Sequence, residues 1–283
     1  GNDALASERL ARASDAASPA LLATTERERG HALLRSGDPA AAAGAFASAA
    51  LASESAEDRT AARAWRALAL GRAGRANDAL LAMDELDEAH GERLPPATAH
   101  ALAYERARAL AAIGRAEEAQ RAYADLAADR ASGATGAHAA LELADLRVAD
   151  GDHEGALRAL DRVMTDTQTP AALLERAAYR AGVSARTLGE HARAAEAFEV
   201  FARETTANDA ALLASAAWQH GDVLSQMGQH GEASERFGYA ADTATDDEAI
   251  AASLLRLGDA HAARSSWRDS ERAFARFIER FPD

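Results

Sequence analysis

Asp150-Gly151-Asp152-His153-Glu154-Gly155 carries the residue types of a calcium loop. Acidic side chains fall on every second residue, Gly155 is at the sixth place and Asp161 at the twelfth. A hard cation wants such a ring of oxygens, closed by a bidentate Glu, and Asp161 is one methylene shorter than that Glu. His153, His191 and His230 each follow a glycine by two residues and are a second set of candidate ligands. On neighbouring helical hairpins they would stand roughly 10 Å apart, too far to share one ion, since a zinc site needs four close ligands. No HExxH and no GxSxG occurs, and Glu117-Glu118 and Asp246-Asp247 suit helix starts, where acids favour the helix dipole. There is no cysteine, and all 31 basic residues are arginine. Without lysine, Schiff-base chemistry and a phosphate-loop lysine are excluded. No metal, no cofactor and no catalytic set is expected, and the chain reads as a non-enzyme.

The elements that position these residues repeat. Gly37, Gly74, Gly114, Gly151, Gly189, Gly228 and Ser265 open near-identical segments 37 to 40 residues apart. Five residues after each comes Ala42, Ala79, Ala119, Ala156, Ala194, Ala233 or Ser270. Seven residues before each comes Gly30, Ala67, Ala107, Ala144, Gly182, Gly221 or Gly258. A fixed period of this length means stacked two-helix units. In the fifth unit Pro170 fits the first turn of helix A. Gly189 ends that helix near Leu188, because glycine tolerates the left-handed conformation of a helix stop. Helix B is expected from about His191 to Glu204, with Gly182 and Ala194 at the helix crossing. Phe46, Met83, Tyr123, Leu160, Phe198, Phe237 and Phe274, nine residues after each turn, are the expected core knobs. Since helix B must start near His153, a calcium loop cannot form on the same residues.

The organisation is all-α. Residues 1–18 are expected as an N-terminal extension or capping helix and 19–283 as one solenoid of about seven antiparallel hairpins. Their approximate limits are 19–54, 55–91, 95–131, 134–168, 170–206, 208–244 and 246–283. Asp246 is expected to cap the last unit, and residues 132–136 to be the most flexible connector. The net charge of −14 argues against nucleic acid and anionic membranes as partners. No apolar run approaches the ~20 residues of a membrane helix. The chain opens on Gly1 and ends on Phe281-Pro282-Asp283, as a piece of something longer would.

Small residue, turn glycine, alanine, aromatic and alanine, as in Gly221, Gly228, Ala233, Phe237 and Ala240, resemble the tetratricopeptide repeat family, with Pro282 at the place of the family's helix-breaking proline. The period is longer than the family's usual ~34 residues. Of the aromatics usual two residues after the turn, only Trp267 is present. The resemblance implies a right-handed superhelix with a concave wall of A helices.

With the small helix-A residue at zero degrees, positions three before, one after and four after it form one stripe, which the resemblance places on that wall. The stripe collects Arg27 and His31, Tyr104 and Arg108, Tyr179 and Arg186, then Trp218, Asp222 and Ser225, with Asp145 and Asp259. These residues are the expected groove for a peptide or protein partner, within a larger multi-protein complex. The ending resembles repeats of bacterial envelope-assembly lipoproteins, so periplasm or cell envelope is the expected setting. The other reading is a regulatory array from a larger kinase or signalling ATPase.

Overall fold

A computed structural model describes residues 2–14, 18–88 and 94–282. The described residues are helical throughout apart from short connections. By their contacts they form two compact units, Gly1–Ala139 and Ala140–Asp283.

The first unit holds α1 (Asn2–Ser14) and three hairpins: α2 (Pro19–Arg35) with α3 (Pro39–Ala52), α4 (Ala56–Arg72) with α5 (Ala76–Glu88), and α6 (Pro96–Ala112) with α7 (Ala116–Ala128). α1 packs on α2, and Arg35 donates from Nε to the Asp3 carboxylate at 3.1 Å. The division falls within α8 (Ala134–Ala149). The second unit continues with α9 (His153–Thr165), then pairs α10 (Ala171–Thr187) with α11 (His191–Glu204), α12 (Ala210–Gln226) with α13 (His230–Thr243), and α14 (Asp247–Ala263) with α15 (Trp267–Arg280).

One backbone device closes all seven turns. The turn residue has positive φ in every case, from +75° to +84° for the six glycines and +60° for Ser265. Its N–H bonds the carbonyl three residues back, and the next N–H reaches five back, as in Gly189 to Arg186 (3.0 Å) and Glu190 to Ala185 (2.9 Å). This double closure satisfies the orphan carbonyls at the helix end. Helix starts are capped locally. Asp38, Asp152, Asp209 and Asp246 each accept a backbone N–H of the following first turn.

The hairpin core is a glycine–phenylalanine fit. A Cβ added at Gly30, Gly182, Gly221 or Gly258 would stand 2.5–2.9 Å from the ring of Phe46, Phe198, Phe237 or Phe274, sixteen residues on in each case. Phe46, Phe198 and Phe237 are fully buried, as is Ala194. The atoms nearest a Cβ placed on Gly182 are those of the Phe198 ring, so at this crossing a ring lies against the glycine.

Two local expectations need correcting. Residues 132–136 are not a loose connector. Arg130–Ser132 is a 3-10 turn, buried Ser132 donates to the carbonyls of Leu126 (3.0 Å) and Asp129 (2.6 Å), and α8 begins at Ala134. Pro170 lies at the cap of α10 rather than inside its first turn. Its carbonyl accepts the N–H groups of Leu173 and Leu174.

Candidate functional site

The stripe residues of the second unit meet around Asp222. This carboxylate is nearly buried on α12 and accepts from Arg186 Nε of α10 at 3.3 Å, from Gln226 Nε2 at 2.9 Å, and from Arg256 Nη2 of α14. A buried carboxylate needs such partners, because desolvating an unpaired charge is costly. Each arginine also covers an aromatic ring. The Arg186 guanidinium lies 5.9 Å from the Trp218 centroid and that of Arg256 5.5 Å from Phe237. Two guanidinium groups share one carboxylate, so the cluster keeps one positive charge. Trp218 packs edge-on to Phe237 at 6.3 Å, and its buried indole N–H has no hydrogen-bond partner among the described residues. Beside it a cleft of about 210 Å³ runs between α12 and α14, past Ser215, Asp246 and Ser253. Ser225 is half-buried on the last turn of α12 and its carbonyl accepts the N–H of Gly228 (3.0 Å). Asp259 is exposed on α14.

Tyr179 packs between Phe201 (5.5 Å) and Phe198 (6.4 Å) and its hydroxyl accepts from Gln219 Nε2 at 3.3 Å. Asp145 takes both prongs of Arg180, at 2.5 and 2.6 Å. Tyr179, Arg180 and Asp145 border a cleft of about 400 Å³.

The first unit assembles its stripe residues differently. His31 is wedged between Phe46 (5.1 Å) and Trp65 (4.7 Å), and burial holds its pKa below the usual imidazole value. Arg27 pairs with Asp58 at 3.0 Å. Tyr104 meets Tyr123 edge-on at 5.7 Å. Arg108 donates to the Gly71 carbonyl at 2.7 Å and to Glu105 at 2.9 Å. Glu105 is nearly buried, and burial raises its pKa against the opposing pull of Arg108 and Arg72.

Two registers emerge that the single-helix stripe does not contain. The residue after the small residue of one A helix meets the residue two before the small residue of the next, as in His31–Trp65, Asp145–Arg180 and Asp222–Arg256. The residue four after it meets the next helix's following position, as in Gly71–Arg108 and Arg186–Asp222. Arg256 and Arg180 were missed for that reason.

The candidate metal ligands serve the helices. Asp152 accepts the Gly155 N–H at 2.8 Å and caps α9. His153, His191 and His230 are the half-buried first residues of α9, α11 and α13. Among the described residues no three acidic or histidine side chains are grouped to hold an ion. No helix among them is long and apolar enough to cross a membrane.

Helical hairpins stacked in sequence, each closed by the same turn, define an all-α repeat protein. Residues 252–283, most of the last hairpin, match the tetratricopeptide repeat model, and known structures share the fold of the chain. A tetratricopeptide repeat protein from Parabacteroides merdae aligns with a TM-score of 0.52 at 14% identity, over 91% of this chain and 92% of that one. Apo RapI aligns at 0.55 and 13%, over 91% and 76%. The apo quorum sensor NprR from B. thuringiensis aligns at 0.55 and 13%, over 92% and 87%. No curated protein sequence matches the chain.

Proposed function

We propose that the chain is a protein-interaction scaffold and that the A-helix face of its second unit, around Trp218, Arg186 and Asp222, takes a peptide segment of a partner protein. One observation carries this reading: the Asp222 cluster keeps a positive charge beside an indole N–H that has no partner among the described residues, in a chain whose net charge is −14. Such a patch suits a segment that combines acidic and apolar residues, with carboxylates for the guanidinium groups and an apolar side chain for the cleft. Tyr179 and the Asp145–Arg180 pair extend the same kind of surface along α10. The setting we propose is a larger assembly, and the partner would be found by affinity capture on the intact chain, read by mass spectrometry.

The test is direct binding of short labelled peptides, acidic–aromatic against basic–aromatic, followed by fluorescence anisotropy. The acidic series is expected to bind better, and Trp218→Ala to weaken it by about tenfold or more with the helical circular dichroism unchanged. A preference for the basic series rejects the reading. A Trp218→Ala variant that loses helix and binding together assigns Trp218 to the core instead.

A further inference from the structure

On the side of α12 away from Trp218 and Asp222 lies a separate cavity of about 180 Å³. His220 and Asp222 are two residues apart, about 200° around a helix, so the two sites cannot share a ligand. Phe198 and Phe201 of α11 with Leu213 and Ala217 of α12 form apolar walls. His220 is buried against them, its ring 6.0 Å from and nearly parallel to that of Phe198. Arg236 of α13 is half-buried and lines the same space. Among the described residues no carboxylate pairs with Arg236, although many arginines of this chain have one. A partly desolvated cation without a counter-ion, at the edge of an apolar cavity, is a standing cost that an anion would remove.

We propose that this cavity binds a small organic monocarboxylate with a compact aromatic or branched apolar body, its carboxylate on the Arg236 guanidinium and its body among Phe198, Phe201 and Leu213. The size fits: an apolar cavity of about 150 Å³ holds a benzene ring. The same volume leaves little room for a main chain, which favours a free acid over the C-terminal residue of a peptide. Burial, with Arg236 nearby, lowers the His220 pKa to about 4. The imidazole is therefore neutral near pH 7 and offers one N–H to the ligand without competing for its charge.

Benzoate, benzyl alcohol and an N-acetylated tripeptide ending in Phe are the probes, read by saturation-transfer NMR and competition on the full chain. Benzoate is expected to bind about tenfold or more tightly than benzyl alcohol. Arg236→Gln, a substitution at the rim that leaves the core intact, is expected to abolish that difference. Arg186→Gln, on the opposite side of α12, is expected to leave benzoate binding unchanged, which separates this site from the peptide surface. No transfer to benzoate at about 10 mM, equal binding of the acid and the alcohol, or benzoate binding unaltered in Arg236→Gln each overturns the proposal. Binding of the tripeptide alone overturns the free-acid assignment.

Discussion

The ring of Phe198 occupies the place of a Cβ on Gly182, its nearest carbon 2.7 Å from that position. Hairpins with glycine on helix A put phenylalanine sixteen residues later, and those with alanine put Met83, Tyr123 or Leu160 there. The seven pairs therefore partition one crossing volume in two ways: no side chain against a phenylalanine ring, or a methyl group against Met83, Tyr123 or Leu160.

Gly182→Ala is expected to destabilise the chain despite alanine's better helix propensity. The propensity gain is about 1 kcal/mol, whereas forcing a methyl group into a filled core costs about 1–3 kcal/mol. Adding Phe198→Leu, which recreates the Ala144–Leu160 combination, should recover part of the loss. Urea unfolding of both single variants and the double would show it, with a coupling of about 1 kcal/mol. Strict additivity would mean that the ring and the glycine do not constrain each other.

Ser265 holds φ = +60° where the other six turns use glycine. The left-handed conformation costs a residue with a Cβ about 1–2 kcal/mol. Ser265→Gly is expected to raise the stability of the last hairpin by about 1 kcal/mol, less what glycine's freedom costs in the unfolded chain. An unfolding midpoint that does not move, or that drops, contradicts this.

His220 should make stability depend on acidity. Burial lowers its folded pKa to about 4, while the unfolded imidazole titrates near 6.5. The unfolded chain therefore takes up the proton first. The contribution is present in full above pH 6.5, is lost as the pH falls towards about 4, and is flat below. The loss amounts to about 3 kcal/mol. In His220→Gln the decline across this window should be smaller by that amount, measured by urea unfolding at a series of pH values. Parallel pH profiles for the two proteins would refute the assignment.

The turns could be read from sequence because a positive φ leaves a chemical trace: glycine in six of seven places, with helix B of the fifth unit running from His191 to Glu204 as expected. Arg186, Trp218 and Asp222 could be placed on one stripe by helical geometry alone, and they meet. Arg256 could not, because it lies off that stripe and reaches Asp222 from α14, the next A helix. A stripe drawn on one helix ignores side chains long enough to cross to the next. His220 was hidden for a different reason. Its neighbours Phe198 and Arg236 are 22 residues before it and 16 after it, on α11 and α13, and nothing in that spacing marks a cavity. The fit of Gly182 to Phe198 was visible as a covariation between the small residue and the knob, a signal that treating all small residues alike discards.

Within the second unit, Asp145–Arg180 and Asp222–Arg256 are the same joint used twice. In each, an aspartate one residue after the small residue of an A helix takes an arginine two residues before the small residue of the next A helix. Gain or loss of a whole hairpin between such matched positions would keep this ion pair at the seam while moving everything beyond it by one unit.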